Sequence, residues 1–197
     1  MRTKHSLELM DFNSMTDVEL FRLIHQRNKE ALETVFNRYY ESLCRFGLTY
    51  EPKLDIVEEK VADVFIQLWN GYERIHEIRN PKPYLYVVVK NKLLEPVAYS
   101  HLKQPLEFGQ ENQQASSPSI EQEIIDQEQR EFYIKRIKDV LDQIPKKSRQ
   151  IFEMSRLDEL KYKEISEILG VSIKTVENHM AIALKTIRKM VIKNKQY

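Results

Sequence analysis

Apolar residues recur at three- and four-residue intervals along most of the chain, the spacing of helices that each bury one stripe. Thr16, Asp17, Val18 and Glu19 form a T-x-x-E capping box, opening a first helix that carries Leu20, Phe21 and Ile24. Asn28 is placed to cap a second helix with the stripe Leu32, Val35, Phe36, Tyr39, Leu43 and Phe46. Pro52 and the charges behind it mark a break. A third helix covers about 54–70, with Val57, Val61, Val64, Phe65 and Leu68 facing inward. Gly71–Pro83 holds one glycine, two prolines and an Asn-Pro pair, and reads as a loop. A fourth helix runs from about Tyr84 to Glu95, where Pro96 should end or kink it.

The pattern then thins. Residues 104–129 hold seven glutamines and a Ser-Ser-Pro-Ser patch, with few large apolar groups before Ile120. From about Ile120 a helical pattern resumes through Ile134, Ile137 and Leu141, and Pro145 starts a helix carrying Ile151, Phe152 and Met154. Leu160–Lys189 reads as two short helices joined by a tight turn. Ile165, Ile168 and Leu169 share a face of the first, and Gly170 supplies the freedom to leave it sharply. Ser172 sits where its hydroxyl can cap the second helix, whose inner face is Val176, Met180, Ala183, Leu184 and Ile187. Lys174, Thr175, Glu177, Asn178 and Lys185 are left pointing outward. Such a helix fits the major groove, its first turn against base edges and its cations near phosphates. The pattern predicts an all-α chain of two small helical domains, 14–103 and 130–192. An acidic flexible linker, 104–129, joins them, and the second domain contains the helix-turn-helix.

Composition supports helices, with only four glycines among 197 residues. The net charge of +1 does not by itself announce a nucleic-acid binder, but its distribution does more. Residues 174–197 hold six Lys or Arg against one acidic residue, whereas 104–129 hold six Asp or Glu and no cation. One end suits a polyanion and the connector suits water. The 26 residues of that connector average about 28 Å as a relaxed coil and reach about 86 Å when stretched. Two DNA elements two helical turns apart lie roughly 70 Å from one another, so spanning them requires an extended linker.

Candidate chemistry is sparse. The lone Cys44 reads as a core filler, since one cysteine can form no internal disulfide and no zinc cluster. Histidines 5, 25, 76, 101 and 179 fall in no metal-binding spacing, and the chain has no G-x-x-x-x-G-K, G-x-S-x-G or G-x-G-x-x-G. No enzyme, metal, cofactor or small-molecule substrate is expected. The longest apolar run, Leu85–Val89, is too short to span a bilayer, and the N-terminus lacks the apolar centre of a signal peptide, so a cytoplasmic protein without membrane insertion is expected. Two groups remain open in meaning. Glu59, Asp63, Gln67 and Asn70 form a polar stripe on the third helix, either a solvated face or a docking surface that Trp69 helps to fix. Tyr84–Lys92, with aromatics beside cations, suits stacking of single-stranded bases as well as it suits a core helix.

With these residues in place, the chain resembles a sigma-70 family factor of the extracytoplasmic-function type, from about Leu20 to Met190. Three blocks carry the resemblance: the D-x-F-x-x-x-W helix at Asp63–Trp69, the PYLYVVVKNK helix, and IPKKSRQIFEM followed by YKEISEILGVSIKTVENHM. It implies a transcription initiation factor that binds core RNA polymerase, directs it to promoters and assists their melting. By that likeness Glu59, Asp63, Gln67 and Trp69 would meet the β′ coiled coil of polymerase, with the β flap a further partner. Arg79, Asn80, Tyr84, Tyr86, Lys90, Asn91 and Lys92 would meet the −10 element. Ser172, Lys174, Thr175, Glu177, Asn178, His179 and Lys185 would meet the −35 element. An anti-sigma protein is an implied partner beside polymerase and promoter DNA. The chain departs from the family's pattern at Lys161, where a Ser cap is frequent, and at Asn178 and Ile182, where cations are frequent. Glu95 and Pro96 interrupt a helix that is often long and basic. Two other classes fit the residues without that likeness: a helical signalling adaptor, and a two-domain regulator that binds DNA without polymerase.

Overall fold

The computed structural model describes residues 11–71, 75–95 and 137–193, which form helices and connecting turns with no strand among them. A short 3-10 turn, Phe12–Ser14, precedes α1 (Asp17–His25), α2 (Lys29–Gly47), α3 (Leu54–Asn70) and α4 (Pro81–Leu94). A helical turn over 137–142 precedes α5 (Lys146–Arg156), α6 (Tyr162–Leu169) and α7 (Ile173–Lys193). The expected linker, 104–129, lies outside the described residues, as do Ile120, Ile134 and Pro96. No helix among the described residues is long and apolar enough to cross a membrane.

The N-terminal group is built from locally capped helices. Thr16 Oγ1 accepts from the Glu19 amide while Glu19 Oε2 accepts from the Thr16 amide at 2.8 Å, closing the capping box. Asn28 Oδ1 accepts from the Ala31 amide at 2.7 Å and starts α2. Arg38 and Tyr39 of α2 both reach the carboxylate of Asp17, tying α2 back to α1. Leu20, Phe21, Ile24, Val35, Leu43, Val57, Val61, Leu85 and Val89 lie almost wholly out of water between these four helices. Each contributes roughly 1.5–3 kcal/mol by that burial. Gly47 lets α2 approach α3 closely: a Cβ there would stand 2.5 Å from Val57 Cγ1.

One boundary differs from the expectation. Helix α4 starts at Pro81 rather than near Tyr84, because a proline in the first turn loses no helical hydrogen bond and already has the helical φ. Its far end fits the reading: Glu95, just before Pro96, is extended rather than helical.

The second group packs α5, α6 and α7 around Ile151, Met154, Leu160, Ile165, Ile168, Val176, Met180 and Ala183. Leu184, expected on the inner face of α7, is instead 42% exposed. Val176, Met180, Ala183 and the half-buried Ile187 follow a 4-3-4 stripe, and Leu184 falls one residue beyond it. The two groups touch. Arg45 of α2 pairs with Asp158, Gln150 Nε2 of α5 donates to Thr49 Oγ1 at 2.8 Å, and Lys90 Nζ of α4 donates to the Ile168 carbonyl of α6 at 2.6 Å. Apolar contact runs continuously across the junction.

Candidate nucleic-acid interface

The turn between α6 and α7 sets the presentation of α7. Gly170 ends α6 in the left-handed region at φ 70°, and the Val171 amide returns to the Ser166 carbonyl at 3.0 Å. A Cβ on Gly170 would meet nothing within 4 Å, so glycine is needed there for its backbone and not for space. Ser172 Oγ then accepts from the Thr175 amide at 3.0 Å and pairs with Thr175 Oγ1 at 2.8 Å, capping α7. At the start of α6 Lys161 offers no side-chain cap, and its amide is taken up by Glu164 Oε2 at 2.7 Å.

From this cap, Lys174, Asn178, Ala181 and Lys185 follow the helical repeat and lie exposed on one face. Glu177 stands beside them, its Oε2 3.3 Å from Lys174 Nζ, which offsets part of the positive charge. Ile182 is 44% exposed on the same outer side. His179 is turned the other way: its Nδ1 lies 2.9 Å from Ser148 Oγ of α5, so it fixes the packing of α5 on α7. It is the resemblance, and not the helical period, that sets His179 among the residues expected at the −35 element.

Helix α4 and the residues before it place the second set. Arg79, Asn80, Tyr84 and Asn91 are exposed, and the Asn80 side chain makes no capping bond. Tyr86 does not join them. It is fully buried, edge-to-face on Phe46 at 5.0 Å between ring centroids. Burial first, and then the neighbouring Asp158 carboxylate, holds its phenol far above the ordinary tyrosine range. Two residues along a helix is a rotation of about 200°, so Tyr84 and Tyr86 cannot share a face. Lys90 and Lys92 are half-buried and engaged, Lys90 with the Ile168 carbonyl and Lys92 with Asp63.

On α3, Glu59, Gln67 and Asn70 are exposed and Asp63 is partly so, forming the stripe read from the sequence. Trp69 stands off it. The Arg27 guanidinium lies 5.1 Å over its ring, and Arg27 Nη1 donates to its carbonyl at 3.2 Å. Trp69 thus pins the α1–α2 turn onto the end of α3, two residues and some 200° away from Gln67.

Residues 134–187, which include the α6–α7 pair, match the family model of sigma-70, region 4. The ferric citrate uptake sigma factor FecI of Escherichia coli (strain K12) is 29% identical over 129 residues, 65% of this chain and 72% of that protein. Residues 134–187 are thus similar to region 4 of sigma-70 factors, and 129 residues of the chain are similar to a sigma factor. A solved structure of CnrH in complex with the cytosolic domain of CnrY shares the fold, with a TM-score of 0.53 at 15% identity over 90% of this chain and 97% of that one. The capped start of α7 and its outward-facing residues up to 187 lie within the region the family model matches.

Proposed function

We propose that the chain is a transcription initiation factor: it binds core RNA polymerase, directs it to a set of promoters and assists their opening. The observation that carries this reading is the match to sigma-70 region 4 across a helix-turn-helix whose second helix is capped and exposed along Lys174, Asn178 and Lys185. The chain itself performs no catalysis; polymerase makes the RNA. The cytoplasm, where polymerase and DNA are, is its place of action.

In this reading residues 130–192 form the −35 domain and 14–103 the domain that meets polymerase and the −10 element, joined by 104–129. Lys174, Thr175, Asn178 and Lys185 meet the −35 element, with Glu177 restricting which bases fit and Ser172 fixing the helix start. Arg79, Asn80, Tyr84 and Asn91 meet the −10 element, where the exposed Tyr84 ring offers a stacking face for an unpaired base. Lys90 and Lys92 meet its backbone, and Glu59, Asp63 and Gln67 meet polymerase. Tyr86, Trp69 and His179 hold these faces in place from behind. An anti-sigma protein is proposed as the regulatory partner, in keeping with the solved complex of CnrH with the cytosolic domain of CnrY.

The test is binding to purified core polymerase, compared with the variants Asp63→Ala and Gln67→Ala. The chain should co-elute with core polymerase at near-equal stoichiometry, and the double variant should lose at least tenfold in affinity. Failure of the parent chain to bind core polymerase would refute the reading.

A further inference from the structure

The outer face of α7 is chemically uneven. Val176, Met180 and Ala183 are buried where α7 packs on α5 and α6, and they fix the rotation of the helix. Two residues on from Val176 is a rotation of about 200°, so Asn178 stands at the middle of the face turned from the core. Its neighbours one turn away are Lys174 before it and Ala181 and Ile182 after it, all exposed. Of the polar side chains at this end of the helix, Lys174 is held by Glu177, Thr175 by Ser172 and His179 by Ser148. Among the described residues the Asn178 amide has no such partner.

A free amide offers a donor and an acceptor side by side. The major-groove edge of adenine offers the complement, N7 as acceptor and the N6 amino group as donor. Guanine offers two acceptors, O6 and N7, and would face the amide oxygen with an oxygen of its own. Beyond Asn178 the face turns apolar. Ala181 and Ile182 bracket it one turn on, about 60° to one side and about 40° to the other, and Ile182 is 44% exposed. A hydrocarbon there can pair with neither a phosphate nor a polar base edge, but it can cover the C5 methyl group of thymine. We infer that the −35 element of this chain carries an A·T block, an adenine read by Asn178 beside a thymine whose methyl group is covered by Ala181 and Ile182.

The inference rests on the promoter-binding function proposed above and names the bases within that site. Rise along the helix places the block. Lys174 and Asn178 are four residues apart, about 6 Å on the helix axis, which is close to two base-pair steps of about 3.4 Å. The first turn, where Lys174 and Glu177 pair at 3.3 Å, presents a cation for guanine and a carboxylate for the amino group of cytosine. The A·T block therefore lies about two base pairs from the pair met by that turn. Lys185, about two turns beyond Asn178, is exposed and left to the phosphates. Phosphate contacts position a helix without reading sequence, so the neutral centre of the face carries the discrimination.

The experiment transcribes a template library, randomised upstream of the start site, with core polymerase and the full chain, and sequences the templates that yield RNA. The expected result is one position at which adenine is enriched roughly tenfold or more over guanine, next to one at which thymine is enriched. Asn178→Ala should remove the adenine preference and keep that for thymine, and Asn178→Arg should convert the position to guanine. Ile182→Ser should remove the thymine preference and keep that for adenine. Both side chains are exposed, so these variants keep the fold. No adenine enrichment, an adenine preference unchanged in Asn178→Ala, or a loss of output spread evenly over all sequences would overturn the assignment of Asn178. A thymine preference unchanged in Ile182→Ser would overturn the apolar half. If no template yields RNA, the function reading falls, and selection of random duplexes by the chain alone at low salt decides the base assignment. Adenine selected by the parent chain and lost in Asn178→Ala would support it, and an unchanged or unselected pool would overturn it.

Discussion

Lys92 Nζ of α4 lies 3.4 Å from Asp63 Oδ2 of α3, which joins a side chain proposed to meet DNA to one proposed to meet polymerase. The Asp63 side chain is 41% exposed, and pairs in such settings contribute only about 0–1 kcal/mol. Asp63→Asn should therefore shift the midpoint of urea unfolding very little while weakening polymerase binding strongly. If stability and binding fall together, Asp63 supports the fold and has no separate docking role.

Gly47→Ala tests the packing of α2 on α3. The added methyl would overlap Val57 Cγ1 and crowd Leu93 Cδ1 at 3.3 Å, and Val57 is fully buried with no space to move into. Overpacking of this kind costs about 1–3 kcal/mol, more than the helix propensity gained at the last residue of α2. Urea or thermal unfolding should show the loss; a neutral outcome would mean that α2 and α3 do not approach as described.

At the helix-turn-helix, two substitutions separate backbone from cap. Gly170→Ala meets no neighbour, so its cost of about 1–2 kcal/mol is that of φ 70° alone, and Gly170→Asn should recover part of it. Ser172→Ala removes the bond to the Thr175 amide and should cost about 1 kcal/mol. Amide exchange along α7 reads both. Faster exchange confined to its first turn is expected for Ser172→Ala.

Alkali should destabilise the fold. Burial pushes the Cys44 thiol from 9.0 up to about 11 and the Tyr40 phenol from 10.0 up to about 12. Raised folded values mean that the native chain keeps protons which the unfolded chain gives up. Stability from these groups is complete below about pH 9, falls as pH rises through 9–12 and is exhausted above that. Denaturant unfolding at pH 8, 10 and 11 should show a falling midpoint, and Cys44→Ala should flatten the part between 9 and 11. A midpoint independent of pH up to 11 would contradict the burial of Cys44.

Helix positions were legible because each is fixed by local signals: the Thr16–Glu19 box, the Asn28 and Ser172 caps, and the Gly170 exit are all short-range. Residues whose role depends on rotation about a helix were less legible. Tyr86 beside Tyr84, and Trp69 beside Gln67, were grouped by nearness in sequence, although a two-residue step turns a side chain to the opposite face. Counting the period from Leu85 and Val89 would have placed Tyr86 inward. The contact between the two groups left no trace in the pattern, because Arg45, Thr49, Gln150 and Asp158 are polar residues on otherwise ordinary helix ends and turns. Only their meeting across more than 100 positions of chain gives them meaning.

Transcription start sites mapped by sequencing RNA made in vitro on fragmented genomic DNA test the central claim most directly. Core polymerase would be compared with and without the purified chain. The account predicts discrete new 5′ ends that depend on the chain, each preceded by two shared sequence elements about two helical turns apart. A chain that footprints duplex DNA alone yet adds no new start sites to an active core polymerase would contradict it.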